Sequence, residues 1–146
     1  MMTEGSLQIC CADWLRLAYP DGESVMWHHS PNEHTPDRTR SKGAFIGYMK
    51  KQAAMGRRKG WPDFEFWWGC GNTWEPIGCG MTREIPVSRS ALFELKKPGG
   101  RLSPAQREIR DWARRLGIPW GMGTSLDDLQ EFLRGVPGFP RPRGGW

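Results

Sequence analysis

Residues 90–96 form the segment whose alternation most limits the fold that this chain can adopt. They read Ser-Ala-Leu-Phe-Glu-Leu-Lys, and a Pro-Gly-Gly turn follows closely. Alternate side chains of an extended strand share a face, so the apolar pair Phe93 and Leu95 points one way. Glu94 and Lys96 then point the other way. We therefore predict a strand with one apolar, buried face and with a carboxylate and an ammonium together on the opposite face.

The rest of the pattern predicts an α/β domain with a small mixed sheet flanked by helices. Two helix starts carry capping boxes, Ser103 with Gln106 and Ser125 with Asp128. Residues 69–89 are rich in glycine and turn residues, which indicates a loop or an irregular hairpin. The predicted helices cover residues 4–18 (with Thr3 as N-cap), 43–55, 104–116 and 125–134, and the predicted strands cover 24–29, 63–68, 90–96 and 119–123.

The length of 146 residues fits one domain. We assign that domain to residues 1–134 and interpret the Pro/Gly/Arg-rich residues 135–146 as an extended, solvated tail. No apolar run approaches the roughly 18 residues of a membrane span, and the first five residues lack the features of a signal peptide. The four cysteines form no CxxC pair, which favours free thiols in a reducing compartment. We therefore expect a cytoplasmic protein that does not bind membranes.

The basic residues are clustered around the central strands. The formal net charge is +5, and residues 38–59 contain eight lysines and arginines with no acid among them. A second basic group follows over residues 96–115. Two such stretches on either side of a central motif suit a phosphate backbone, so the charge pattern indicates a nucleic acid as partner.

Asp63, Glu94 and Lys96 are the residues that indicate a chemistry. If Asp63 lies on the strand next to Glu94, two carboxylates and one lysine converge. Carboxylate oxygens bind hard cations such as Mg²⁺ or Mn²⁺, and such an ion activates water and neutralises a phosphate. A lysine beside it can stabilise the charge of the transition state. The trio therefore favours metal-dependent hydrolysis of a phosphodiester, although an ExK pattern alone is also typical of an exposed ion pair.

Two longer segments resemble a known family. Residues 56–64 read Gly-Arg-Arg-Lys-Gly-Trp-Pro-Asp-Phe, and residues 93–106 read Phe-Glu-Leu-Lys-Lys-Pro-Gly-Gly-Arg-Leu-Ser-Pro-Ala-Gln. Together they resemble the VRR-NUC family of the PD-(D/E)xK nuclease superfamily, and most closely its small stand-alone bacteriophage members. The resemblance extends over about residues 4–133 and implies a restriction-endonuclease-like core. The GRLSPAQ segment directly after ELK is its most specific part.

The resemblance implies a role for each matching residue. Asp63 and Glu94 would bind Mg²⁺ or Mn²⁺ together with the Leu95 carbonyl, and Lys96 would be the catalytic lysine. Gln106 would project into the site, although its place in a capping box is sufficient to explain it. The residues expected to contact DNA are Arg57, Arg58, Lys59, Lys97 and Arg101.

The third carboxylate of the site has two candidates. Members of the family carry a glutamate on the first helix with a glutamine four residues later, and Glu4 and Gln8 fit that spacing on one helix face. Glu33, in the following loop, is the alternative, and we favour Glu4. Neighbouring strand residues point to opposite faces, so His28 and His29 are not expected to serve one site together.

Two features depart from the family pattern. Residues 69–89 look like an insertion between Asp63 and Glu94 and are a candidate determinant of substrate choice. Glu65 lies two residues beyond Asp63, where it would either assist metal binding or pair with a lysine.

The function that the resemblance implies is that of a metal-dependent, structure-specific DNA endonuclease. We expect a homodimer that resolves Holliday junctions in phage recombination or replication, in the cytoplasm of a phage-infected or prophage-bearing bacterium. The alternatives are a flap or nicking nuclease that acts as a monomer, a non-catalytic DNA-binding module, and a restriction-type nuclease. No feature of the sequence supports a base-reading element for the last of these.

Overall fold

A computed structural model describes residues 3–20, 24–30 and 59–146. Over these residues the chain forms a mixed α/β structure with three helices and one four-stranded mixed sheet, as predicted. The predicted helix over 43–55, the candidate acid Glu33 and the basic residues Arg57 and Arg58 lie outside the described residues. No helix within the described ranges is long and apolar enough to cross a membrane.

The first helix, α1, spans Glu4–Ala18 and has the predicted bounds. The Thr3 hydroxyl accepts a hydrogen bond from the Ser6 backbone N–H at 3.1 Å, which satisfies one of the free donors of the first turn. The buried face of α1 includes Leu7, Cys11 and Leu15. This face also carries a buried glutamine, Gln8.

The sheet has the strand order β1-β2-β3-β4. β1 (Met26–His29) pairs antiparallel with β2 (Phe64–Gly78), and β2 pairs antiparallel with β3 (Met81–Leu95). β4 (Trp120–Gly123) lies parallel to β3 along its other edge, opposite residues 92–95. β1 is two residues shorter than the predicted strand over 24–29.

Residues 69–89, which we name the arm, form an irregular hairpin, the second of the two forms that the sequence predicts. They continue β2 and β3 as a two-stranded hairpin that extends beyond the rest of the sheet. The register shifts between Gly69 and Asn72 and again between Pro76 and Gly78, and each shift breaks the alternation of side chains. Cys79 and Gly80 close the hairpin with φ values of 50° and 75°, as a type I′ turn requires.

The two remaining helices begin at the predicted capping residues. α2 spans Pro104–Arg115, and Ser103 and Gln106 form the complete capping box before it. α3 spans Leu126–Gly135, and its N-cap Ser125 accepts from the Asp128 backbone N–H. The Asp128 carboxylate accepts from the Thr124 backbone N–H at 2.6 Å, so this second box is displaced by one residue from its predicted form.

The helices cover both faces of the sheet. Phe93 and Leu95 belong to the larger core, with residues of α1 and α3. Leu92 points to the opposite face, where it packs with Ile109 and Ala113 of α2. The strand thus has the predicted alternation, but its charged face is covered as well, because α2 lies over it.

Val136 and Phe139 of the C-terminal segment belong to the larger core, so this part of it is not the solvated tail that the sequence predicts. Phe139 is buried and makes edge-to-face contacts with Phe66 and Trp68. The Arg143 backbone N–H donates to the Ala18 carbonyl at 2.9 Å. Phe139 of a segment rich in proline and glycine is therefore part of the larger core.

Candidate active site

The candidate site lies at one end of the sheet, where β2 begins and β3 ends. Phe64 of β2 is paired with Phe93 of β3. Asp63 directly precedes Phe64 and Glu94 directly follows Phe93, so the two acids are neighbours at the ends of adjacent antiparallel strands. Both side chains are about 1% exposed. The first two turns of α1 supply Glu4 and Gln8 at this end, and the first turn of α2 supplies Gln106. The structure therefore brings the predicted trio and the additional candidates Glu4 and Gln106 together.

Two donors among the described residues contact the Asp63 carboxylate. The Leu95 backbone N–H donates to Oδ2 at 2.8 Å, and the Gln8 side-chain amide donates to Oδ1 at 3.1 Å. These contacts orient the carboxylate. Asp63 is thus fixed between β3 and α1.

The Glu94 carboxylate is buried under α2. Its Oε1 accepts from the Gln106 side-chain amide and lies 2.6 Å from the Lys96 ammonium. Its Oε2 is buried with no hydrogen-bond partner among the described residues. Burial raises the pKa of Glu94 to about 7, Asp63 adds to this effect, and the hydrogen bond from Lys96 opposes it. A cation beside Oε2 would therefore favour the ionised form of this carboxyl.

Lys96 links two acids of the site. Its Nζ lies 2.6 Å from Glu94 Oε1 and 3.9 Å from Glu4 Oε1, and its side chain is 12% exposed. Burial alone lowers the pKa of Lys96, but the hydrogen bond to Glu94 and the surrounding acids outweigh it and leave that pKa raised. The ammonium form is therefore stable at the edge of the buried acids. The contact places Glu4, our favoured third acid, in the cluster.

Gln106 makes both of the contacts that the sequence suggests for it, one in the capping box of α2 and one in the site. Its Oε1 accepts from the Ser103 backbone N–H at 2.9 Å, which completes the capping box. Its Nε2 donates to the Glu94 carboxylate. Because the cap uses the amide oxygen, the NH₂ group is turned toward the acid. The start of α2 therefore orients Glu94.

Gly60 allows the segment before Asp63 to lie against α2. Its φ is +83°, and a Cβ at this position would lie 2.6 Å from the backbone carbon of Ala105. Only glycine fits both requirements without a shift of the backbone. This close approach brings residues 60–63 next to the helix turn that carries Gln106.

The donors present fit a hard divalent cation. Asp63 and Glu94 supply the carboxylate oxygens that Mg²⁺ prefers, and Glu94 Oε2 is a buried oxygen without a donor in the described part of the chain. In a strand the N–H and C=O of one residue point to the same side, so the Leu95 carbonyl faces Asp63 as its N–H does. Among the described residues no three His, Cys, Asp or Glu side chains form a complete ion site. Mg²⁺ commonly uses one or two carboxylates and completes its shell with water and phosphate.

The predicted DNA-contacting residues that the structure describes are exposed. Lys97 and Arg101 are exposed just after β3, and Lys59 is exposed before Gly60. A pocket of about 270 Å³ adjoins Glu4 and Lys97, between the first turns of α1 and α3. Of these exposed cations, Lys97 thus lines a pocket together with Glu4 of the cluster.

The two histidines do not join the cluster together. His28 lies opposite Glu65 in the register of β1 and β2, whereas His29 stacks on Phe64 on the other face of the sheet. Burial lowers the pKa of His29. Burial raises the pKa of Glu65, and His28 opposes this rise. Glu65 therefore has a histidine opposite it on the neighbouring strand.

Gln8 is the residue of the site to which the sequence assigned no contact. The notable signal is a glutamine on the apolar face of α1, between Leu7 and Cys11. A buried amide needs hydrogen-bond partners, so such a position suggests a polar group opposite it. In the structure that group is Asp63.

Comparison with protein-family models, with curated proteins and with solved structures finds no match to this chain.

Proposed function

We propose that this protein is a metal-dependent, structure-specific DNA endonuclease with a PD-(D/E)xK core of the VRR-NUC type. The observation that carries the proposal is the convergence of two buried carboxylates and a lysine at the ends of β2 and β3. Glu94 Oε2, buried without a donor among the described residues, adds a reason for a cation at this place. The exposed cations Lys59, Lys97 and Arg101 suit a phosphate backbone, and Lys97 lines a pocket with Glu4.

Each residue of the cluster has a task in hydrolysis of the diester. Asp63 and Glu94, with the Leu95 carbonyl, would hold Mg²⁺ or Mn²⁺. Such an ion supplies Lewis-acid charge that polarises the scissile phosphate and makes an attacking water more acidic. Lys96 carries a positive charge beside the phosphate and stabilises the negative charge that develops in the transition state.

Three further residues position these groups. Gln8 and the Leu95 N–H orient Asp63, and Gln106 orients Glu94. Groups that hold metal ligands by hydrogen bonds strongly affect metal affinity. Glu4 lies 3.9 Å from Lys96 and adds negative charge at the solvent side of the cluster. We assign Glu4 to holding Lys96 in place.

The substrate class and the assembly follow from the family resemblance. We propose that the protein cuts four-way junctions as a homodimer, in phage recombination or replication within a bacterial cytoplasm. A two-fold dimer presents two sites to a symmetric junction. The arm, with no counterpart in the family pattern, is a candidate for either substrate choice or assembly.

The test is cleavage of labelled DNA in three forms: duplex, flap and four-way junction. Each is incubated with Mg²⁺, with Mn²⁺ or with EDTA, using the wild type, Asp63→Asn, Lys96→Ala and the control Asp13→Asn. Asp13 is an exposed acid of α1 outside the cluster. We expect junction cleavage that requires the cation, falls at least about 100-fold in both site variants and is unchanged in the control.

Each alternative gives a different result in the same assay. Cleavage that survives both site substitutions contradicts the assigned site. Faster cleavage of flaps by a monomer supports the flap or nicking nuclease, and binding in every metal without cleavage supports a non-catalytic module. Cleavage of duplex at one sequence supports the restriction-type nuclease.

A further inference from the structure

The arm leaves large apolar side chains exposed. Trp74, Ile77 and Met81 are 65%, 52% and 60% exposed. β1 pairs with β2 only as far as Trp67, and β4 pairs with β3 only from Leu92, so no described strand covers either edge of the arm. A lone two-stranded hairpin is marginally stable in water. Exposed apolar groups concentrated in such an element mark an interaction surface.

The charge of the arm does not suit a phosphate backbone. Its ionisable groups are two acids and two arginines, so it carries no net charge in a chain of net charge +5. Glu75 and Arg83 also pair with each other, at 2.7 Å. A neutral surface gains nothing from counterion release on DNA. The same surface can face its own copy without repulsion between like net charges.

The arm also points away from the candidate active site. β3 has 15 residues, and Glu94 lies near its end while Met81 begins it. At about 3.3 Å per residue, roughly 45 Å of strand separates the tip from Glu94. The tip therefore does not contact a phosphate held at the site of its own chain.

A pocket lies at the root of the arm. It has a volume of about 440 Å³ and lies between residues 88–90 of β3, the loop before β4 and the segment after α3. Trp68 lines it, together with residues of β3 and of the segment after α3. The pocket thus offers space at the end of the arm opposite to the apolar tip.

We propose that two copies of this chain associate through their arms. The arms lie antiparallel about a two-fold axis, so that the tip of each, with Ile77 and Met81, enters the root pocket of the other. Because a two-fold interface repeats each of its contacts, both root pockets are filled in the same dimer. Pro76 and Pro86 lack an N–H, so the contact is made by side chains and not by a continuous sheet.

The inference rests on the homodimer of the proposed function and adds the surface that forms it. Its test measures mass in the absence of DNA and divalent cations, so it can fail or succeed independently of cleavage. Contact along an arm about 30 Å long is smaller than a standard interface. We therefore expect a dissociation constant in the micromolar range.

The experiment is sedimentation equilibrium of the wild type, Met81→Glu and Met26→Glu. Met81 and Met26 are strand methionines with similar exposure, 60% and 65%, so the two substitutions are matched. We expect dimers for the wild type and Met26→Glu, and a dissociation constant at least tenfold higher for Met81→Glu. A monomeric wild type at 100 µM (roughly a hundred times the expected constant) overturns the proposal, as does an unchanged constant for Met81→Glu.

Native cysteines provide a second measurement. Cys79 lies at the tip and Cys70 at the root, so a short bis-maleimide should join the two between copies. We expect a cross-linked dimer that is lost in Cys79→Ser and kept in Cys10→Ser. A Met81→Glu variant of unchanged mass but weaker DNA binding would assign the arm to DNA and refute the dimer contact.

Discussion

Glu94→Gln removes a carboxylate that the fold buries unfavourably. The pKa of this group is 4.5 in the unfolded chain and about 7 in the folded protein, because burial disfavours the charged form. A carboxyl whose pKa rises on folding keeps its proton in the native state while the unfolded chain releases one. The contribution of Glu94 to stability therefore falls as the pH rises from 4.5 through 7, and this loss is complete above 7.

The size of this effect follows from the two pKa values. The difference corresponds to about 3 kcal/mol in the free energy of unfolding, of which most falls between pH 5 and pH 8. The glutamine side chain of the variant does not titrate, so constant effects of the substitution cancel when the same variant is compared at two pH values. Relative to the wild type, we expect Glu94→Gln to gain about 2–3 kcal/mol on going from pH 5 to pH 8.

The assay is urea unfolding at both pH values in EDTA, with Glu131→Gln as the control. Glu131 is an exposed glutamate of α3, so its substitution should leave the pH dependence of the wild type unchanged. Mg²⁺ at pH 8 should stabilise the wild type and have little effect on Glu94→Gln, since the cation favours the ionised carboxylate. A stability difference between Glu94→Gln and the wild type that is the same at pH 5 and pH 8 would refute a buried carboxyl with a raised pKa.

Other substitutions test the contacts around the site and the core. Gly60→Ala combines a positive φ with a clash against Ala105, so urea unfolding should show a loss of more than about 2 kcal/mol. Phe139→Ala should cost about 3 kcal/mol in the same measurement, whereas a solvated tail would give almost no change. Gln8→Leu removes a donor to Asp63, and a titration of cleavage against Mg²⁺ should show a half-maximal concentration at least about tenfold higher; an unchanged value would contradict the positioning role.

The helices of the described residues could be predicted because their signals are local. Thr3, Ser103 and Ser125 stand at the N-caps where the sequence places them. A capping residue acts within one turn of its own helix, so no distant contact is needed to identify it. The sheet order and the placement of helices on both faces depend on contacts between segments, and only their general class followed from the pattern.

The sequence left the arm open between a loop and an irregular hairpin because its alternation is interrupted. One extra residue of β2 at Cys70–Gly71 and another at Ile77 reverse the face to which the following side chains point. A pattern of period two is therefore visible only in short pieces. The turn at Cys79–Gly80 also lacks the Asn-Gly or Asp-Gly sequence that marks most two-residue hairpins.

Part of the candidate site could likewise be predicted from local patterns, and part depends on contacts between distant segments. Strand alternation alone places Glu94 and Lys96 on one side, and their 2.6 Å contact agrees with it. The contact between Gln8 and Asp63 joins residues 55 positions apart. It depends on how α1 packs over the strand ends, which no local pattern contains.

Gln106 bonds both the Ser103 N–H and the Glu94 carboxylate, so the opening rate of the first turn of α2 is coupled to the state of the site. Helix ends fray, and an opening that breaks the bond from the Ser103 N–H also releases the amide that holds Glu94. A ligand that fixes Glu94 must then also slow this opening. Backbone hydrogen exchange at residues 103–106 therefore becomes a reporter of occupancy at the acids, readable without any turnover of substrate.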